Sequence, residues 1–119
     1  NKSKNEFLYG IFLKRNNFKI HIGNIKLGPI NLIHMTGEIS YFIGEKELWG
    51  GGGATLAIKE IIKIAKKMGL KKLKASLYEM NIGSKKVLEK NGFKPEGKMK
   101  SEIVYKGNRY NLYLFGKIL

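Results

Sequence analysis

The chain has 119 residues, 43% hydrophobic and 27% charged, a balance that suits one globular domain and excludes a disordered polymer. It contains no cysteine and only two histidines, His21 and His34, which excludes disulfides and a thiolate metal site and leaves no convincing histidine site. The net charge of +14 raises nucleic acid as a partner, yet nearly all of it is lysine spread from Lys2 to Lys117, with arginine only at Arg15 and Arg109.

That dispersion, together with a bias toward Lys, Asn and Ile and the absence of Asp, fits a solvated basic surface better than a nucleic-acid face. No apolar run nears the roughly 20 residues that cross a bilayer. Nothing resembles a secretory signal either, so the expected setting is cytoplasmic, without a membrane partner.

Glu6–Lys14 reads as a strand rich in aromatic and aliphatic residues, and Arg15–Asn17 as a turn. Phe18–Leu27 alternates Phe18, Ile20 and Ile22 against Lys19 and His21, the period of a half-buried strand, and completes a hairpin. Gly28–Asn31 is expected to break that pattern, and Gly37–Gly44 is a third strand. Ile58, Ile61, Ile62 and Ala65 then recur at helical spacing, with Lys66 and Lys67 in the last turn and Gly69 as the stop. Leu70–Glu79 alternates Leu73, Ala75 and Leu77 against Lys72, Lys74 and Ser76 and is a strand. Asn81 caps a short helix that runs to about Lys90 and stops at Gly92. SEIVY, the turn KGNR and YNLYLFGKIL form a closing hairpin. The predicted order is β-β-β-α-β-α-β-β: an α+β fold with a mixed, mostly antiparallel sheet, a β-α-β crossover over Gly37–Glu79 and two helices, in a single domain over residues 1–119.

Between the third strand and the first helix stands Trp49-Gly50-Gly51-Gly52-Gly53-Ala54-Thr55. Four consecutive glycines exceed what a turn requires. At a helix start the first N–H groups lack internal partners and the dipole adds positive charge, so bare backbone there can cradle a phosphate. A P-loop would need Gly-Lys-Ser/Thr, and no lysine precedes Thr55. A dinucleotide fingerprint would need glycine where Thr55 stands and an acidic residue nearer than Glu79.

The remaining arrangement, Gly-x-Gly-x-Ala at Gly50, Gly52 and Ala54, occurs with IGNIKLGPIN, GEISYFIG, EKELWGGGGATLAIKEI, NIGSKKVLEKNGFKPEG and YKGNRYNLYLFGKIL in one order over most of the chain. Together these resemble the GNAT superfamily of acetyltransferases, in the branch related to the ribosomal-protein-alanine acetyltransferases. The resemblance implies acetyl-CoA as acyl donor, its pyrophosphate on the backbone of Gly50, Gly51, Gly52, Gly53, Ala54 and Thr55 beside Trp49, and no metal. The branch often carries lysine at the position of Gly51 and a bulkier residue at that of Gly53, so cofactor affinity is expected to be modestly reduced. It also implies that the strands flanking the first helix splay apart. Phe42 and Ile43 would then offer backbone groups to the pantetheine arm as to an added strand, with Asn81 on the opposite lip.

By the same resemblance Glu38 matches a strand carboxylate that takes the amine proton; its plainer role is a strand surface charge. Ser84, in the N-x-x-S pattern from Asn81, matches a serine that donates toward sulfur; its plainer role is partner to the helix cap. Leu88 stands where many members place a tyrosine acid, for which Tyr41 and Tyr105 are candidate substitutes; the plainer and favoured role of both is core or wall packing. Asn111 stands where the branch often has aspartate. Phe93 reads as core, and His21 and His34 as surface or loop residues.

The function so implied is acetyl transfer to a primary amine (a protein N-terminus, an amino sugar or a polyamine) by direct transfer. The alternative is a non-catalytic CoA-binding or basic nucleic-acid-associated module. Members of the family begin with a strand and one or two helices ahead of the hairpin. The chain is therefore expected to be N-terminally incomplete, or to pair with a second copy through the edge strand Phe7–Leu13.

Overall fold

The computed structural model describes residues 6–15, 18–43, 53–79 and 81–119. Among the described residues, six strands and two helices follow in the predicted order: β1 (Phe7–Arg15), β2 (Phe18–Asn31), β3 (Thr36–Ile43), α1 (Gly53–Lys67), β4 (Lys72–Tyr78), α2 (Ile82–Lys90), β5 (Lys94–Tyr105) and β6 (Asn108–Ile118). They form one sheet in the order β1-β2-β3-β4-β6-β5, in which the β3–β4 pair is parallel and every other pair antiparallel. Parallel neighbours need a crossover, and α1 supplies it. Among the described residues no helix is long and apolar enough to cross a membrane.

Alternation along β4 buries Leu73, Ala75 and Leu77 and turns Lys74, Ser76 and Tyr78 to the other face. The buried set joins Ile58, Ile61, Ile62 and Ala65 of α1, Val87 and Leu88 of α2, and Ile25, Leu27, Ile39, Phe93 and Phe115 in one core. Both helices thus cover the same sheet face, and among the described residues no helix covers the opposite, open one. Full burial of a Leu or Ile contributes about 1.5–3 kcal/mol, so this face supplies most of the drive to fold.

Both helices end as their glycines suggest. In α1, Gly69 N–H donates to Lys66 C=O and Leu70 N–H to Ala65 C=O; in α2, Gly92 N–H donates to Glu89 C=O and Phe93 N–H to Leu88 C=O. Each pair is a Schellman motif whose reversing residue is a glycine in the left-handed region, at φ +85° for Gly69 and +86° for Gly92.

Two boundaries differ from expectation. Gly28–Asn31 does not end β2: the strand passes an irregularity between Leu27 and Ile30 that accommodates Pro29, and stops where Asn31 Oδ1 accepts from Ile33 and His34 N–H. β5 starts at Lys94, ahead of SEIVY; its nearly continuous exposure leaves no alternation in the sequence to mark that start. Its bulge at Pro95–Gly97 lays the Glu96 carboxylate where a Cβ on Gly116 would sit, and Glu96 Oε1 meets Lys72 Nζ at 2.9 Å. β1 is an edge strand, as expected.

A Cβ at Gly69 would meet only Met35 Cε, at an ordinary 3.8 Å. Gly69→Ala should therefore cost only its left-handed backbone strain, about 1–2 kcal/mol, read as a lower midpoint in denaturant unfolding.

Candidate active site

The parallel ladder between β3 and β4 runs from Thr36↔Lys72 to Ile39↔Ala75 and contains no later pair. Both strands continue past that point, each with its other neighbour. β3 pairs with β2 through Phe42↔Asn24 and Ile43↔Gly23, and β4 pairs with β6 through Ser76↔Leu114 to Tyr78↔Leu112. Between Ser40–Ile43 and Ser76–Tyr78 the sheet therefore parts, and the backbone of Phe42 and Ile43 lies on one side of the gap.

Gly53, Ala54 and Thr55 open α1. A helix that begins there leaves first-turn N–H groups without intrahelical acceptors. Ala54 is also a core residue, which gives its small side chain a packing reason. Trp49, Gly50, Gly51 and Gly52 lie outside the described residues.

On the far side of the gap, β4 leads into the capped start of α2. Asn81 N–H donates to Tyr78 C=O at 2.8 Å, and Asn81 Oδ1 accepts from Ser84 N–H at 3.0 Å. Ser84 is the buried polar residue of the described chain, and no buried side-chain polar atom there lacks a partner. Glu38 lies between the buried Gly37 and Ile39, on the open face, in register with Lys74 and one residue before the ladder ends. Glu38 and Ser84 thus occupy opposite faces of the sheet, and the gap is what connects those faces.

Leu88, expected at the tyrosine position of the family, is fully buried in the core. Tyr105 ends β5 at the hairpin tip, half exposed, with Lys106 Nζ 5.3 Å from its ring centroid. The side chains of Tyr41 and His21 lie outside the described set. His34 is an exposed turn residue and Phe93 is core. Asn111 has a structural task, because its Oδ1 accepts from Ser101 N–H at 2.9 Å, where β5 bulges at a residue with φ 55°.

Two features escaped the sequence reading. A cavity of about 460 Å³ lies on the helix side of the sheet, lined by Leu77, Pro95, Tyr113 and Phe115 with the polar Glu79, Asn81 and Lys85. Asn91 Nδ2 donates to both Thr55 C=O and Val87 C=O, each at 3.1 Å, and so ties α2 to the first turn of α1. The pattern Asn91-Gly92 signals only a helix end; the partner at Thr55 is 36 positions away and leaves no local mark.

Residues 1–94 match the family model described as the acetyltransferase (GNAT) domain. The chain belongs to the GNAT acetyltransferase family. It is 33% identical over 99 residues to protein MJ1062 of Methanocaldococcus jannaschii, across 82% of this chain and 20% of that protein. It is 33% identical over 84 residues to YwnH of Bacillus subtilis, provisionally named a phosphinothricin acetyltransferase, across 71% of this chain and 51% of that one. The chain thus spans about a fifth and about half the length of these two relatives. The Microcin C7 self-immunity acetyltransferase MccE, solved in complex with acetyl-CoA and AMP, superposes with a TM-score of 0.80 at 22% identity, over 100% of this chain and 64% of that one. At that identity the likeness is one of fold.

Leu88→Tyr should force extra volume into a closed core and cost about 1–3 kcal/mol, checked by denaturant unfolding. Asn81→Ala should remove the cap of α2 and cost about 1 kcal/mol in the same assay.

Proposed function

We propose that the chain carries the acetyl-CoA-binding and catalytic centre of an N-acetyltransferase acting on a primary amine. The observation that carries this reading is the ladder that stops at Ile39↔Ala75 while both strands run on, beside a helix that begins at a glycine. The parted edge of β3 fits a ligand that pairs as an added strand, and the start of α1 fits its anionic end. Backbone groups of Phe42 and Ile43 would hold the pantetheine arm, Asn81 would border it, and the Trp49–Thr55 stretch would hold the pyrophosphate. When bound, acetyl-CoA supplies a thioester, an acyl group already activated toward an amine.

The chain's own residues supply the rest. Glu38, on the open face, takes the proton from the attacking amine, directly or through water. Ser84, from the helix side, donates toward the departing sulfur. The cavity beneath α2 does not face Glu38, so it is not the amine's place in this scheme. A net charge of +14 works against a polyamine and favours an acidic or phosphate-bearing amine, such as a nucleotide-linked amino sugar or a protein N-terminus in an acidic context. The edge strand β1 supports self-pairing with a second copy.

The fully buried Leu88 favours a second reading, a CoA-binding module without catalysis. A screen of amine acceptors for CoA release, run beside acetyl-CoA titration, separates the two: binding without release from any amine selects the module.

Gly53→Asp places a good helix-starting residue at the head of α1, so folding should be unharmed. Its negative charge should nonetheless abolish acetyl-CoA binding in calorimetry, and unchanged affinity would remove the cradle. Glu38→Gln should lower turnover about 10²–10⁴-fold at constant acetyl-CoA affinity, and equal turnover would return Glu38 to a surface charge.

A further inference from the structure

Asn91 is where the two helices of the site meet. An asparagine amide has two N–H donors, and both are used here, one on Val87 C=O a turn back in α2 and one on Thr55 C=O in the first turn of α1. The residue itself is held firmly. Its backbone N–H donates to Leu88 C=O at 3.1 Å, the Schellman bonds of Gly92 and Phe93 follow at once, and Val87 and Phe93 on either side are buried.

The body of α1 does not need this bond for docking, because Ile58, Ile61, Ile62 and Ala65 already hold it to the sheet. Its first turn is different. Within it Ala54 is the one buried residue. The bond from Asn91 falls on that turn, and it comes from the helix that carries Asn81 and Ser84.

We propose that Asn91 is a positioning residue for the pyrophosphate of acetyl-CoA. It fixes the N–H groups at the head of α1 relative to the lip at Asn81, so that one extended ligand can satisfy both ends at once. The inference rests on the acetyl-CoA reading above and adds to it the residue that sets the spacing. Its reach is through Thr55; Asn91 itself need not touch the ligand.

The test is calorimetric titration of acetyl-CoA into the parent chain, Asn91→Ala, Asn91→Asp and Gly69→Ala, with unfolding midpoints measured in parallel. Loss of one positioning hydrogen bond should weaken acetyl-CoA binding by roughly 5- to 10-fold in Asn91→Ala. Asn91→Asp should weaken it at least as much, because a carboxylate has no N–H and would face two carbonyl oxygens. Gly69→Ala loosens the opposite end of α1, and it should lower the midpoint yet leave affinity unchanged. A purely structural Asn91 would instead make affinity follow stability across all three variants, which overturns the inference.

Parent binding with equal affinity in Asn91→Ala overturns the inference alone, whereas no binding by the parent overturns the acetyl-CoA reading and the inference with it. Should Asn91→Ala not fold, the parent decides. Its Asn91 side-chain amide signals must shift when acetyl-CoA is added, and fixed signals overturn the proposal.

Discussion

The short parallel ladder of β3 and β4 governs this structure. Four residue pairs hold the two strands together, and then each follows a different partner, β3 with β2 and β4 with β6. Right-handed twist rotates neighbouring strands against one another, and a parallel pair is slightly less stable per residue than an antiparallel one. The ladder that yields is therefore the parallel one. Backbone groups released by that parting are strong hydrogen-bonding groups in search of partners. The opening is thus part of the way the sheet is wired, and it lies where an α/β crossover also brings a helix start.

The helices make the parting tolerable. Leu73, Ala75 and Leu77 of β4 and Ile39 of β3 sit in the same core, so α1 and α2 brace the sheet from one side where its own hydrogen bonds lapse. The bracing is apolar and non-directional along most of its extent. It becomes directional at Asn81 and at Asn91, each of which fixes one end of α2 through a side-chain hydrogen bond. Precision is added at the ends of helices, where orphan backbone groups already need partners.

Local signals carried much of the fold. The spacing of Ile58, Ile61, Ile62 and Ala65, the alternation of Leu73, Ala75 and Leu77, the Asn81 cap and the two glycine stops each encode their element in a few consecutive residues, and each is found in the structure. Signals that depend on distant partners were silent. Pro29 reads as a breaker, although the pairing of β2 with β3 resumes at Ile30. β5 shows no alternation because nearly all of it is exposed. Asn111 was legible only as a residue standing where aspartate is common, and its partner Ser101, on the paired strand, leaves no local mark. The parting of the strands leaves no trace in composition, since it is a property of pairing; only resemblance to a family pointed to it. The roles assigned to Glu38 and Ser84 rest on that resemblance and on the geometry around them, and that of Gly50, Gly51 and Gly52 rests on the resemblance.

The Glu96–Lys72 contact has one more consequence. Those residues belong to strands that are not neighbours, with β6 between them, a separation of about 9–10 Å at ordinary strand spacing. A side chain at position 116 would stand between the two charges. With glycine there, the middle strand becomes a window, and the outermost strand reads the charge of the crossover strand directly. The outer hairpin is thereby aligned with β4 by something other than its hydrogen-bond ladder. Such a contact can fix which way the hairpin slides along the sheet. Gly116 itself pairs with Lys74 of β4 and Lys94 of β5, so a side chain there would displace the Glu96 carboxylate at a position where all three strands are joined.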